Sequence, residues 1–284
     1  MERLPLPDAL VEQARAYAEG SATPAEPRNA ATVVLMRPGA DPTSGPELYL
    51  LRRQTSMAFA GGMCVFPGGG VDPRDFDHAV AWIGPTPAAW AERLGVDEPM
   101  ARALVCAAVR ETFEESGVLL AGTAESVAAD TTGDDWEADR VALESRDLSL
   151  TDFLDRRGLV LRTDLLGAWA GWLTPVFEPR RYRTWFFAAA LPTGQLTRDV
   201  SSESSSVAWL PAMTAVEQAE AGDIFMMPPT YLTCLDVGQY ADPDAVLAEA
   251  AGRSVDIFTP EVVSDGDEFV LSMPPRYEPL VAAR

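Results

Sequence analysis

The stretch that decides the fold is Ala103-Leu-Val-Cys-Ala-Ala-Val-Arg-Glu-Thr-Phe-Glu-Glu-Ser-Gly117. At 3.6 residues per turn, Val105, Cys106, Val109 and Phe113 share one face, the stripe that a helix buries. Glu111, Glu114 and Glu115 fall within one arc opposite, at spacings i, i+3 and i+4. Pro99 suits the first turn of this helix and Gly117 its stop. Like charges at these spacings repel by a few tenths of a kcal/mol per pair. The negative end of the helix dipole adds roughly 0.3–1 kcal/mol per charge. Arg110 is one cation against three acids. A divalent ion of the Mg²⁺ or Mn²⁺ type would relieve the strain, since it takes hard oxygen ligands. The plainer reading is a solvated helix end in a chain that is acidic throughout. The small residues Ala103, Ala107 and Ala108 before the acids, and a glycine-rich turn upstream, favour a loop-helix cradle for a metal and a phosphate.

Outward from this helix, Ala31 to Met36, Leu48 to Arg53 and Met63 to Phe66 read as strands. Pro67-Gly68-Gly69-Gly70 reads as a hard turn, followed by short helices between Asp75 and Asp97. On the N-terminal side, the pattern predicts an amphipathic helix over 7–19 and a Pro/Ala-rich connector to Asn29. On the C-terminal side come helical patterns over 135–156, then strands from Ala168 to Thr174 and from Thr184 to Leu191. A serine-rich loop at 201–206 leads into a short strand, Val207 to Leu210. Helices are expected up to Ile257, and a last strand from Glu268 to Ser272. Strands interleaved with helices predict an α/β (α+β) fold, a sandwich with a mixed sheet.

Composition narrows the function. The 284 residues carry a net charge of −21, with 47% hydrophobic and 23% charged residues. A surface this acidic repels phosphate backbones, which argues against nucleic-acid or anionic-membrane binding as a primary role. The N-terminal stretch lacks the apolar core of a secretory signal, and no run approaches a membrane span, so the expected location is cytoplasmic. Cys64, Cys106 and Cys234 are too scattered for a zinc site or a disulfide frame. The single histidine, His78, sits in a polar stretch and reads as a solvated loop residue.

Against the global charge, Arg180, Arg181 and Arg183 form the densest cationic cluster, and Arg52 and Arg53 close a strand. Both groups are candidates for substrate phosphates rather than for surface pairing alone. Glu203, a lone acid among five serines, reads equally as a turn residue or a site residue. Phe186 and Phe187 read as core; Trp169 and Trp172 remain ambiguous.

Arg110-Glu111-Thr112-Phe113-Glu114-Glu115-Ser116-Gly117-Val118 resembles the second half of the Nudix box, and Phe66-Pro67-Gly68-Gly69 resembles its opening. Between them lies an insertion. Arg102 stands where the family carries a Glu ahead of the arginine, Thr112 replaces an aliphatic residue, and Asp75 keeps the family's spacing from Gly69. A box split in this way resembles the coenzyme A and acyl-coenzyme A diphosphatase branch related to the mammalian peroxisomal enzyme. Leu50-Leu51-Arg52-Arg53, Gly62, Trp172-Leu173-Thr174-Pro175, Pro179 to Phe187 and Trp209-Leu210-Pro211 carry that likeness over roughly 30–235. The branch's added arginine between Arg53 and Gly62 is not reproduced, Met57-Ala58-Phe59-Ala60 standing there, and Arg183 occupies a position where an acid is expected.

The resemblance implies a Nudix-type α/β/α sandwich. Its domain would cover 30–235 with an insertion at about 76–98, after an N-terminal helix and connector (1–29) and before a C-terminal extension (236–284) with extra helices. It implies hydrolysis of a diphosphate linkage in a small molecule, coenzyme A or acyl-coenzyme A first, with Mg²⁺ or Mn²⁺. Glu111, Glu114 and Glu115 would be metal ligands, joined by the carbonyl of Gly69. Arg110 would orient Glu111 through a fork hydrogen bond, and Glu114 or Glu203 would take the proton of the attacking water. Arg52, Arg53, Gly68, Arg180 and Arg181 would bind substrate. A groove for the substrate's long arm would come from Trp82 and Trp90, or from Met226, Met227 and Tyr231. The alternatives are a Nudix hydrolase of dinucleotides or nucleotide sugars, and a non-catalytic ligand-binding or regulatory protein on the same fold. No nucleic-acid or membrane partner is expected, and self-association into a homodimer stays open.

Overall fold

The computed structural model describes residues 6–41, 43–57, 60–266 and 268–284. Ala58 and Phe59, in the stretch where the branch's arginine is missing, lie outside the described residues. In chain order the elements are α1 (Asp8–Ala18), β1 (Arg28–Pro38), β2 (Pro46–Arg53), β3 (Cys64–Val65), β4 (Gly68–Gly70), a 3₁₀ turn (Pro73–Phe76), β5 (Trp82–Ile83), α2 (Pro87–Leu94) and α3 (Glu98–Ser116). Then come β6 (Ala121–Gly122), α4 (Asp134–Glu144), α5 (Leu150–Arg157), β7 (Val160–Arg162), β8 (Leu166–Leu173), β9 (Tyr182–Ala190) and β10 (Ser204–Pro211). The chain ends with α6 (Ala212–Ala221), α7 (Pro228–Val237), α8 (Pro243–Ala250), β11 (Ile257–Phe258) and the hairpin β12 (Val262–Asp265) and β13 (Glu268–Leu271), before a last short helix, Glu278–Ala282.

β1 shows why these residues make an α/β sandwich. Its run Ala-Ala-Thr-Val-Val-Leu-Met is apolar on both faces, as a strand covered on both sides requires. Ala31, Val33 and Leu35 join the core that holds α3, while Val34 and Met36 join the opposite core with α6, α7 and α8. The main sheet runs β10-β2-β1-β9-β8-β11, with β3 on β2 and β4 on β1. β1 pairs with β9 in parallel from Arg28↔Tyr182 to Met36↔Ala190, and β8 pairs with β9 and β2 with β1 antiparallel, so the sheet is mixed. The C-terminal residues Val246, Ala250 and Tyr277 belong to that opposite core.

One expectation changes, and one of two open readings falls away. The glycine-rich stretch is a strand: Gly68, Gly69 and Gly70 pair with Thr32, Ala31 and Ala30. A β-carbon on Gly68 would come within 2.6 Å of the Thr32 backbone, so the absence of side chains lets the two strands close up. The helix α3 also has no solvated acidic face. Asp97 caps its start by accepting from the Met100 amide, and Gly117 ends it in the left-handed region (φ 74°). Between these ends Arg110, Glu114 and Glu115 are only 7–8% exposed. The insertion is not a loose excursion either. β5 pairs with β7, which pairs with β6, and the Trp90 ring packs on Phe187 in the core. Arg102 sits over the Trp82 ring and donates to the Val80 carbonyl. His78 is exposed, as expected.

Candidate active site

The site is assembled where α3, β4 and the 3₁₀ turn meet. Asp72 caps the turn by accepting from the Arg74 amide, and Asp75 reaches back to the Asp72 amide. This reciprocal cap fixes Asp75, 2% exposed, against Arg110. Arg110 donates from Nε and Nη2 to the two oxygens of Asp75 (3.1 and 2.9 Å) and from Nη2 to the Gly70 carbonyl (2.9 Å). Its Nη1 reaches Glu111 Oε1 at 2.7 Å and Glu114 at 3.4 Å. The fork therefore grips Asp75, not Glu111 as expected, and Glu111 receives one bond. Asp75 keeps its place at the arginine because the insertion that follows it loops out and returns. Arg110 thus ties the 3₁₀ turn, the glycine strand and two helix carboxylates together.

Gly68 and Gly69 serve the acids as well. The Gly68 amide donates to Glu115 Oε2 at 2.7 Å, so it orients a carboxylate rather than meeting a phosphate. A β-carbon on Gly69 would lie 2.5 Å from the Glu111 carboxylate. Thr112, in place of an aliphatic residue, hides its hydroxyl by donating to the Ala108 carbonyl. The cluster's electrostatics follow from burial. Burial, then the charge of Glu111, pushes the Glu114 carboxyl up to about 7 against the pull of Arg110. The same two causes hold Glu115 well above the usual range, and burial raises Glu111 although Arg110 pulls it down.

Two cavities meet at this cluster. A small one of about 180 Å³ is lined by Glu111, Glu114, Glu115, Glu144 and Glu203 together with Arg110 and Arg146. A cleft of about 1000 Å³ opens from it, and Glu111, Arg146 and Glu203 belong to both. Arg53 holds Glu203 at 2.7 Å, and Ser202 of the same loop donates to Glu144, which Arg140 anchors. Arg140 also donates to the Glu114 carbonyl at 2.7 Å, placing a cation at the negative end of α3. Nothing local in the sequence pointed to Arg140, Glu144 or Arg146.

The cationic runs divide, and within β2 and β9 they do so by the strand pleat, since successive side chains point to opposite faces. Arg180, Tyr182, Thr184 and Phe186 line the cleft; Arg181 and Arg183 do not. Arg181 is buried, donating to the carbonyls of Thr174 and Ala25, and so is withdrawn as a substrate ligand. Likewise Arg53 lines the cleft, whereas Arg52 does not and instead makes a long bond, 3.4 Å, to the Gly62 carbonyl. The groove's expected walls also change. Trp90 is wholly buried and Tyr231 nearly so, and of the named candidates only Met227 faces the cleft. Its apolar wall comes instead from Leu6 and Leu10 at the N-terminus, Trp172, Phe177 and Phe186, and Leu271 of the final hairpin. Trp172 thus serves both the core and the cleft; Trp169 is core, beneath Arg253.

Among the described residues no three Asp, Glu, His or Cys side chains already enclose a single cation position. The donor chemistry nevertheless fits a hard divalent ion. Three carboxylates, all raised by burial and two of them also by the charge of Glu111, border one small cavity, where Arg110 is, among the described residues, the one cation bonded to them.

A family model of the NUDT19 Nudix domain matches residues 85–235, more than half of the chain. The chain belongs to the Nudix family. The match starts inside the insertion, so Gly68, Gly69 and Asp75 lie outside it. A putative Nudix hydrolase 7 of Caenorhabditis elegans is 29% identical over 197 residues, which are 69% of this chain and 57% of that protein. The acyl-coenzyme A diphosphatase NUDT19 of Gallus gallus is 27% identical over 300 residues, 87% of this chain and 78% of that protein. The crystal structure of a Nudix hydrolase from Alicyclobacillus acidocaldarius superposes with a TM-score of 0.65 at 25% identity, covering 81% of this chain and 98% of that one. No helix among the described residues is long and apolar enough to cross a membrane.

Proposed function

We propose that this chain hydrolyses the diphosphate linkage of a small molecule, and that the molecule is coenzyme A or an acyl-coenzyme A. The observation that carries the reading is the junction itself: three helix glutamates, two of them buried, border a small cavity that opens, past Glu111 and Glu203, into a cleft large enough for a nucleotide with a long arm. Glu111, Glu114 and Glu115 would hold Mg²⁺ or Mn²⁺. When bound, the ion supplies charge neutralisation for the diphosphate and a more acidic water. Arg110 keeps two of these carboxylates and Asp75 in register, and the Gly68 amide sets the third. Glu203, half-exposed and steered by Arg53, has the access to water that a proton acceptor needs. Arg53 and Arg180 supply cations along the cleft, and its apolar wall suits a pantetheine or acyl arm. The likeness to the Gallus gallus acyl-coenzyme A diphosphatase points the same way.

The test is hydrolysis of coenzyme A, acyl-coenzyme A, 3′-dephospho-coenzyme A, NADH, ADP-ribose and a nucleotide sugar with Mg²⁺ or Mn²⁺, products identified by mass. Coenzyme A should yield 3′,5′-ADP and a 4′-phosphopantetheine product. A kcat/KM that does not fall when the 3′-phosphate is removed would favour the dinucleotide or nucleotide-sugar reading. Binding without turnover across the panel would favour a non-catalytic ligand-binding protein.

A further inference from the structure

Arg146 is conspicuous on three counts. It is one of two non-glycine residues with positive φ among those described, at 64°. It follows α4 at the position where helices most often place glycine, because a side chain there strains the backbone. The turn is nonetheless held firmly: the Arg146 amide donates to the Leu143 carbonyl, and Arg74 donates to the Arg146 carbonyl at 2.9 Å. Secondly, the side chain borders both the acid-lined cavity and the large cleft. Thirdly, its charge is barely used. The guanidinium is 77% exposed, and its one ion pair among the described residues is a loose 3.7 Å approach to Asp72, whose carboxylate Arg74 already holds at 2.9 Å. The other cation of the small cavity, Arg110, is buried and fully engaged. Arg53 at the cleft edge is tied to Glu203.

We propose that Arg146 binds a phosphate of the substrate's diphosphate, at the threshold between the carboxylate cluster and the cleft. The inference rests on the functional reading above and gives it a residue that neither the box nor the charge pattern singles out. An anion entering a cavity bordered by five glutamates meets repulsion on most sides. A planar guanidinium with uncommitted donors at the entrance offers the paired hydrogen bonds that phosphate oxygens accept. The fixed left-handed turn holds its Cα in place, so little backbone is left to order on binding.

Two measurements test this on the full chain. The first is binding of methylenediphosphonate, a non-hydrolysable diphosphate, with Mg²⁺ by calorimetry. The second is steady-state kinetics on whichever diphosphate the wild type cleaves. Arg146→Gly is the decisive variant, since glycine relieves the strained backbone and should leave the melting temperature equal or higher. Affinity for the diphosphonate should fall about tenfold or more, with KM rising in parallel and kcat little changed, and Arg146→Lys should recover part of both. The wild-type advantage should shrink at high salt. Equal affinity in wild type and Arg146→Gly, or no wild-type binding at all, overturns the proposal. A wild type that binds the diphosphonate through Arg146 yet cleaves nothing would sink the hydrolase reading and leave this one standing.

Discussion

At the scale of single residues, the site depends on close approach as much as on charge. Gly69 leaves room for the Glu111 carboxylate, and a methyl group there would have to displace it. Gly69→Ala should therefore lower turnover at least a hundredfold while costing little stability, because the strand backbone accommodates alanine. Glu114→Gln approaches the same cluster from the other direction. Removing one of three mutually repelling, buried carboxylates should leave the metal-free protein as stable or more so. The wild type should gain melting temperature with Mn²⁺ or Mg²⁺ by mass action, and both variants should lose most of that gain. Thermal melts with and without the ion check this. Unfolding of metal-free Glu114→Gln would instead make the cluster structural.

At the scale of elements, the 3₁₀ turn at Pro73–Phe76 carries the box across the insertion, and its cap is electrostatic. Hydrogen bonds from Arg74 hold the Asp72 carboxyl down to about 2. A group depressed in the folded state stabilises above its unfolded value, near 4, and that contribution disappears as pH falls toward 2. Asp72→Asn keeps an acceptor for the cap and removes only the charge. It should lose about 1 kcal/mol near neutrality, since Arg74 is partly exposed to solvent, and the deficit should close between pH 4 and pH 2. Urea midpoints across that range measure it. Elements also separate what the chain's sequence discloses from what it hides. The start and stop of α3 were legible because Pro99 and Gly117 act on their own neighbours. The strand at Gly68–Gly70 was not, because its only strand signal is the partner, β1, more than thirty residues away. The run Arg180-Arg181-Tyr182-Arg183 looked like one patch, yet only Arg180 and Tyr182 line the cleft, while Arg181 turns to the carbonyls of Thr174 and Ala25. Arg146 and Arg140 gain their roles from a fold that returns α4 to the end of α3.

On the scale of the whole molecule, the two faces of the sheet divide the work. The α3 side carries the carboxylates and the welded insertion; the opposite side, with α7 and the final hairpin, supplies apolar cleft wall. The first helix also belongs to this assembly, since the Leu6 amide donates to the Phe269 carbonyl and Gln13 donates to that of Phe177. Deleting residues 1–19 should thus raise KM for long-armed substrates more than for short ones, with kcat for the latter kept within a few fold. Equal effects on both would place α1 outside the substrate's reach. The parallel seam between β1 and β9 has a consequence of a different kind, for synthesis. Its two halves are 28–38 and 182–190. At roughly 5–20 residues per second on the ribosome, the first half waits on the order of ten seconds or more for the second. Throughout that interval an apolar strand that is buried on both faces in the finished protein can pair with β2 and β4 but leaves open the edge that β9 will cover. The newborn chain is thus exposed to aggregation during translation itself, and slower elongation or scarce chaperones should reduce its soluble yield without altering the protein that does fold.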